Sequence, residues 1–262
     1  MPFTVSHAVV ALGARRLRLP VAAVAVGAMA PDAVLFAPFL PDYAVTHSWW
    51  GVATVDLAVS LVVLAVWWWL VRPAWAPVVP GVRRRLPAAW ACRPRLRARS
   101  VPPVVVGAVA GSVTHVVWDG FTHGSGFAVR SFAALRETAV AGYPLPFVLQ
   151  DASSVLGLLT LLLAGAVWWR RACPRVLPAV PAAQSVVVAA AAVTVLGVTG
   201  AQAAAVLLTG GSIGDLVVVL AFRVPVTVAL TLVVGAVALL AIRHVGERRS
   251  PTASGTGDCR TV

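Results

Sequence analysis

Long runs of hydrophobic positions, separated by short polar or arginine-containing stretches, dominate the pattern along this chain. Five such runs cover residues 52–71, 101–118, 147–169, 179–207 and 213–242, and a sixth, weaker run covers residues 19–40. A helix needs about 20 apolar residues to cross the roughly 30 Å of hydrocarbon in a bilayer, and these runs approach or exceed that length. The pattern therefore predicts membrane-crossing segments.

The lipid environment limits the secondary structure that these segments can adopt. Every N–H and C=O group at membrane depth must be bonded within a helix or a closed barrel, and these runs lack the alternation of barrel strands. We therefore predict an all-α fold, a polytopic transmembrane helical bundle with about six membrane segments. Composition agrees, because 60% of the 262 residues are hydrophobic and only 11% are charged, outside the range of soluble domains.

The positions of the arginines predict the orientation. All but three of the 21 basic residues fall in stretches that alternating crossings place on one side, the exceptions being Arg130, Arg136 and Arg223. By the positive-inside rule that side is cytoplasmic, and the C-terminus is cytoplasmic as well. We interpret the arginine-rich stretch 83–99 as a topology-setting loop rather than a nucleic-acid surface. The expected partners are membrane lipids and a small-molecule or lipid substrate, with no nucleic acid.

The N-terminal region allows two arrangements. A single first crossing that runs outward from Arg18 would leave His7 on the cytoplasmic side. Alternatively, residues 5–14 form a half-length helix that re-enters the membrane and residues 19–31 return beside it. His7 and Asp32 would then lie at similar heights above the turn.

Histidines and aspartates occur in or beside these apolar runs, where ionisable groups are costly and mark functional sites. His115, Asp119 and His123 are four residues apart, and each four-residue step turns a helix by only about 40°. One helical face can therefore present all three. Counted along the helices from the arginines, the cluster lies near the outer interface. Six residues are the candidate metal ligands: His7, Asp32, His47, His115, Asp119 and His123.

The donor types point to a divalent metal, most simply zinc, because neutral imidazole and carboxylate are ligands that zinc prefers. Three or four of the six donors would hold one ion and leave a position for water, and six donors suffice for two ions. Such a site lowers the pKa of water and favours attack on an ester or phosphoester. Asp119 and Asp56 are the candidate catalytic carboxylates, Asp56 as a general base or as a group that orients a histidine.

Several motifs together resemble a known family. They are Met1–His7, Gly27–Asp32, Thr46–Ser48, His115–His123 and Leu149–Gly157. With these motifs in this order, residues 1–170 resemble the uncharacterised bacterial membrane proteins of domain of unknown function family 4184, whereas the last two apolar runs add nothing to the resemblance. The pattern is also distantly similar to inner-membrane proteins described as metal-dependent hydrolases. The resemblance implies a multi-pass protein of the bacterial cytoplasmic membrane with a metal-dependent hydrolytic activity.

Four further residues are predicted to assist the site. Arg130 and Arg136 lie in the predicted outer loop, where they could bind an anionic headgroup, although an exposed amphipathic loop explains them equally well. Gln150 and Ser154 belong to the Leu149–Gly157 motif and are predicted to support the metal ligands through hydrogen bonds.

The chain is predicted to contain a membrane core with the His/Asp cluster in residues 1–170, two further transmembrane helices in 171–246 and a disordered tail in 247–262. Gly107 and Gly111 extend the ladder of His115 and are predicted to let another helix approach closely.

The favoured function is that of a divalent-metal-dependent hydrolase acting on a lipid-linked or phosphoester substrate near the outer leaflet. Two alternatives stay open. Buried histidines and aspartates also mark the pathways of ion or proton transporters. A non-catalytic membrane protein could instead use the His/Asp site to hold its helices together.

Overall fold

The computed structural model describes residues 4–95 and 97–249. Nine helices follow one another along the described chain: α1 (Val21–Gly27), α2 (Tyr43–Thr46), α3 (Trp49–Trp75), α4 (Val101–Thr122), α5 (Phe127–Ser131), α6 (Ala133–Glu137), α7 (Leu145–Arg171), α8 (Ala182–Leu208) and α9 (Ile213–Arg249). Four 3₁₀ segments accompany them: Thr4–Leu17, Ala30–Leu35, Ala88–Ala91 and Ala98–Ser100. Within the described residues the only strands are the antiparallel pair β1 (Ala139–Val140) and β2 (Tyr143–Pro144). The predicted all-α fold is confirmed.

Five helices are long and apolar enough to cross a membrane, namely α3, α4, α7, α8 and α9. They coincide with the five strong hydrophobic runs. Helix α3 is not a uniform α-helix, because it contains two π-helical segments, Val52–Asp56 and Trp67–Val71. The π-helical turn is rare and is frequent at functional sites, so the first of these segments, which contains Asp56, marks a region of interest.

The sixth, weaker run does not form one long helix. Residues 19–40 are divided between α1 and the 3₁₀ segment Ala30–Leu35, and they are preceded by the 3₁₀ helix Thr4–Leu17. The two arms meet at Arg18, which adopts a positive φ of 56°, and Ala11 and Ala14 pack against Val24 of α1. The structure thus has two packed arms, as the hairpin arrangement predicted, but the first arm is a 3₁₀ helix and spans 14 residues.

By their contacts the described residues form two compact units, 4–64 with 97–169, and 65–95 with 170–249. In the first unit, α1 lies directly on α4. A Cβ on Gly27 would lie 2.0 Å from the Ala108 carbonyl oxygen, and one on Gly111 would lie 2.3 Å from the Val24 carbonyl oxygen. Only glycine permits this approach, so the close packing predicted at Gly111 is confirmed. At Gly107 an added Cβ would lie 3.2 Å from the Ala23 Cβ, which is a tight contact with a side chain.

The second unit has an apolar core. Its buried hydrophobic residues are Val71, Ala74, Trp75, Val78, Ala236 and Leu239. The Trp75 indole donates to the Leu232 carbonyl at 2.8 Å, and the Arg243 guanidinium donates to the Pro73 and Ala74 carbonyls at 3.0 and 2.6 Å. Residues 65–95 thus group with the C-terminal helices. Of the predicted disordered tail, 247–262, residues 247–249 complete α9 and the others lie outside the described residues.

Candidate metal centre

Helix α4 supplies two of the candidate ligands from its last two turns. His115 and Asp119 are buried, and the His115 Nε2 lies 3.3 Å from the Asp119 Oδ2. The helix ends at Thr122, and His123 is its C-cap, with the His123 amide donating to the Asp119 carbonyl at 3.0 Å. The His123 Nδ1 lies 3.3 Å from the same Asp119 oxygen. The four-residue spacing therefore brings all three side chains together, as the sequence predicted.

His47 lies between the end of α2 and the start of α3. Asp42 caps α2 by accepting from the Val45 amide at 3.1 Å, and Ser48 caps α3 by accepting from the Gly51 amide at 2.9 Å. Such caps fix where a helix begins, because they satisfy amides that have no partner inside the helix. The His47 Nε2 consequently lies 3.4 Å from the Asp119 Oδ2 and 3.7 Å from an Asp32 oxygen.

The N-terminal hairpin supplies Asp32 and His7. The Asp32 Oδ1 lies 3.6 Å from the His115 Nε2, and the Asp32 Oδ2 accepts a 2.7 Å hydrogen bond from the Thr4 hydroxyl. The His7 Nε2 lies 3.6 Å from the Asp119 Oδ1, and its ring stacks on His115 with 3.9 Å between centroids. Because a 3₁₀ helix has three residues per turn, Thr4 and His7 share one face and reach the cluster together.

The structure thus brings all six predicted ligands together around Asp119. Asp32, His47, His115 and Asp119 each offer one ligand atom, and these four atoms lie within 4.8 Å of one another. Two ligands that are each about 2.1 Å from a tetrahedral ion are separated by roughly 3.4 Å. The nitrogen–oxygen separations of 3.3 to 3.7 Å match that edge and exceed the usual length of a strong hydrogen bond.

The atoms that face the centre are buried and lack hydrogen-bond partners among the described residues. They are the Nε2 atoms of His7, His47 and His115, the Nδ1 of His123 and the Oδ1 of Asp119. A buried polar atom without a partner costs about 1 to 3 kcal/mol, and five of them converge here. A cation would accept these lone pairs, so the residues present fit a divalent metal ion.

The remaining ring nitrogens help to fix which nitrogen faces the centre. The His115 Nδ1 lies 2.8 Å from the Ala28 carbonyl, and the His47 Nδ1 lies 3.1 Å from the Tyr43 carbonyl. A carbonyl only accepts, so Nδ1 carries a proton in both rings, and in the neutral ring Nε2 then presents its lone pair, as metal ligation requires. Burial, together with the adjacent His115, lowers the pKa of His7 to about 4, which keeps that ring neutral as well.

Sequence reasoning missed Tyr43 and Thr4. The Tyr43 hydroxyl donates to the Asp119 Oδ2 at 3.1 Å, and its ring stacks on His47 with 3.6 Å between centroids. Burial and the nearby Asp119 and Asp32 carboxylates raise the pKa of the Tyr43 hydroxyl, so it stays a donor. The available signal was spacing, because Tyr43 precedes His47 by four residues and Thr4 precedes His7 by three.

Asp56 is fully buried but lies outside the group of ligand atoms. It ends the first π-helical segment of α3 and interacts electrostatically with His115 and Asp32. Both of its carboxylate oxygens, and the hydroxyl of Ser60 four residues later, lack hydrogen-bond partners among the described residues. A carboxylate without a hydrogen-bond partner in an apolar helix is costly, so we expect Asp56 to have a functional role rather than a packing role.

The four assisting residues lie in two different settings. Gln150 and Ser154 are buried on α7, where the Ser154 hydroxyl donates to the Gln150 carbonyl at 2.7 Å. Arg130 and Arg136 are exposed, and Arg136 contacts both the Arg130 carbonyl at 3.0 Å and Glu137 at 3.2 Å. The supporting role of the first pair and the substrate-binding role of the second stay predictions.

Comparison with known proteins identified one family. A family model described as "Domain of unknown function (DUF4184)" matches residues 1–245. The similarity therefore extends beyond the residues 1–170 expected from the motifs and includes α8 and most of α9. No match to the chain was found among curated proteins or among solved structures.

Proposed function

The chain belongs to the DUF4184 family of membrane-type helical proteins, and we propose that it is a divalent-metal-dependent hydrolase of phosphoester or lipid-linked substrates. The single observation that carries the proposal is that ligand atoms of Asp32, His47, His115 and Asp119 lie within 4.8 Å of one another, with the His7 and His123 imidazoles beside Asp119. Zinc suits this mixed nitrogen and oxygen donor set, and a bound divalent ion would supply Lewis acidity and an activated water.

Four residues, Asp32, His47, His115 and Asp119, are assigned to hold the ion. Each of the other two histidines lies beside a different Asp119 oxygen, His7 beside Oδ1 and His123 beside Oδ2. Four protein ligands would close a tetrahedral site, so hydrolysis requires either that the ion expand to five-coordination or that one of the four ligands give up its position to water.

The burial of the ligands indicates where a substrate would enter. The His115 side chain is fully buried and that of Asp119 is 5% exposed, whereas that of His123 is 22% exposed. The polar head of a substrate would therefore face the His123 side of the centre. Arg130 and Arg136, in the segments that follow His123, are assigned to bind an anionic group of the substrate.

Asp56 is assigned the role of proton acceptor. A general base must be ionisable, close to the reacting water and free of competing hydrogen bonds. Asp56 meets two of these conditions, because its carboxyl group is ionisable and its oxygens have no hydrogen-bond partner among the described residues.

We place the centre near the outer leaflet of a bacterial cytoplasmic membrane, with the C-terminus in the cytoplasm. The ligands lie at the C-terminal end of α4, whereas Arg97 and Arg99 precede its start. In α7 the arginines Arg170 and Arg171 occupy the opposite end from Gln150. By the positive-inside rule, the ends that carry arginine face the cytoplasm.

The decisive experiment is elemental analysis of the purified protein beside a His115→Ala, Asp119→Ala variant. We expect stoichiometric zinc or another divalent metal in the parent and near-complete loss in the variant. The matched control is His244→Ala, because His244 is exposed and contacts Arg248, so its metal content should equal that of the parent. Negligible metal in the parent, or failure of the loaded parent to hydrolyse any phosphoester or lipid-linked ester, would refute the proposed activity.

One observation favours a second candidate, ion or proton translocation. Asp56 and Ser60 lie on one face of α3, and both are buried. Their side-chain oxygens lack hydrogen-bond partners among the described residues, as expected along a proton path. In reconstituted vesicles, translocation predicts metal- or proton-coupled flux that Asp56→Asn abolishes. Hydrolysis without any such flux would exclude this candidate.

A further inference from the structure

A groove of about 440 Å³ adjoins the candidate metal centre within the first unit. The 3₁₀ helix Thr4–Leu17, α4 and α7 form its walls. His7, Trp118 and Ser153 line its upper end, which is the end nearer the metal centre, and Val10 and Thr160 line its lower end. Because α7 rises 1.5 Å per residue, the segment from Ser153 to Thr160 gives the groove a length of roughly 10 Å.

The groove is lined almost entirely by apolar surface, although hydroxyl groups lie along it. The Thr114 hydroxyl donates to the Gly111 carbonyl at 2.7 Å, and the Thr160 hydroxyl donates to the Leu156 carbonyl at 2.7 Å. The Ser153 hydroxyl donates to the Gln150 carbonyl at 3.0 Å. These hydroxyl protons are used within their own helices, so the groove offers them to no ligand and suits a hydrocarbon.

The groove and the metal centre share one residue. His7 lines the upper end of the groove, and its Nε2 faces Asp119 at 3.6 Å. The 3₁₀ geometry accounts for this, because residues three apart lie on one face and the row Thr4, His7, Val10 leads from Asp32 to the groove. A ligand with a polar head at the centre would therefore continue into the groove with its tail.

The helices that form two of the walls are long and apolar enough to cross a membrane. Leu156 on α7 is 63% exposed beside the groove, so in a bilayer this side of the unit meets lipid. A hydrocarbon chain could enter from the side without crossing water.

We propose that the groove binds the single hydrocarbon chain of an amphiphilic phosphoester whose head group lies at the metal centre. This inference rests on the proposed function and narrows its substrate to a chain-bearing lipid. The groove selects the substrate by its tail, and the chain reaches at least as far as Thr160.

The test is photo-crosslinking with dodecyl phosphonate that carries a diazirine at the chain end, using zinc-loaded protein in nanodiscs. A phosphonate resists hydrolysis, so the measurement does not depend on turnover. We expect mass spectrometry to find several-fold enrichment of label at Val10, Leu156 and Thr160 over Leu162. Excess unlabelled dodecyl phosphonate, or a chelator, should remove that enrichment.

Two variants at opposite faces of α7 provide the matched comparison. Thr160→Trp fills the lower end of the groove, and we expect loss of the enriched label together with retained binding of butyl phosphonate. Val155→Trp adds the same bulk on the other face, where Val155 is 54% exposed, and should leave both measurements unchanged. Label spread evenly over both faces of the parent α7, or unaltered enrichment in Thr160→Trp, would overturn the proposal.

The outcomes also separate this inference from the proposed function. Enriched label in the groove without hydrolysis of any phosphoester would leave the chain-binding groove standing and remove the hydrolase. Hydrolysis that is indifferent to chain length, with evenly spread label, would leave the hydrolase standing and remove the groove as a substrate site.

Discussion

The two units of the protein bury opposite kinds of side chain. The first unit contains every buried polar or charged side chain among the described residues, including His7, Asp32, Asp56, His115 and Asp119. The buried side chains of the second unit are apolar apart from the Trp75 indole nitrogen, which is hydrogen-bonded. Both units are built from helices of similar hydropathy, so the difference does not arise from their need to enter a membrane.

The contrast identifies the unit that carries the candidate metal centre. Polar groups inside an apolar helical bundle are costly and persist where function requires them. In the first unit Asp32, His47, His115 and Asp119 lie together, and the backbone contacts at Gly27 and Gly111 hold α1 and α4 close enough to align Ala28 with His115. The second unit instead packs around Trp75, and its Arg243 guanidinium donates to backbone carbonyls.

The largest expected effect comes from glycines at the two packing contacts. Gly27→Ala places a Cβ 2.0 Å from a backbone oxygen of α4, so the helices must separate, and we expect about 3 kcal/mol less free energy of unfolding together with loss of metal. Gly235→Ala in the second unit meets the buried Trp75 ring at 2.4 Å, a side chain rather than backbone, and we expect about 2 kcal/mol with metal retained. Denaturation in detergent and elemental analysis measure both.

The control for this pair is Gly165→Ala on α7, where an added Cβ meets nothing within 4 Å. Alanine has a higher helix propensity than glycine, so this variant should gain about 0.5 kcal/mol. If Gly27→Ala behaved like Gly165→Ala, the close contact between α1 and α4 would not exist in the protein.

Removal of the metal is expected to weaken one unit only. A ligand at a hundredfold excess over its Kd stabilises the state that binds it by about 2.7 kcal/mol. Hydrogen exchange should therefore speed up around His115 after chelation, whereas the amides around Trp75 and Leu239 should keep their protection. Equal loss of protection in both units would contradict a metal site that is confined to the first unit.

Much of this organisation could be predicted from the sequence. Hydrophobic runs of sufficient length defined the five long helices, and the four-residue spacing of His115, Asp119 and His123 defined a shared face. That prediction succeeds because helix geometry is local. The spacing does not depend on what packs around it.

Other features depend on geometry that the sequence does not show. The first arm is a 3₁₀ helix of 14 residues, longer than such helices usually are, so the row of Thr4 and His7 did not follow from an α-helical period. Tyr43 was missed because its role requires α2, Ser48 and Gly51 to turn the chain back onto α4. The grouping of residues 65–95 with the C-terminal helices likewise depends on long-range packing.

The smallest expected effect concerns Tyr43, whose hydroxyl donates to the Asp119 Oδ2. Tyr43→Phe removes this donor but keeps the ring that stacks on His47, so the ligands stay in place while Asp119 is less well oriented. Loss of a partner that orients a ligand typically lowers metal affinity by about 10- to 100-fold, and we expect the lower end, roughly 1.4 kcal/mol. Competitive zinc titration measures the change.

The second tyrosine of the chain is the matched control. Tyr143 lies in β2 and is 52% exposed, so Tyr143→Phe should leave zinc affinity unchanged. An equal loss in both variants would mean that the effect is not specific to Asp119. Unchanged zinc affinity in both variants would show that the four neighbouring histidines already orient Asp119. The contrast between the two units would then be supported only by the metal ligands.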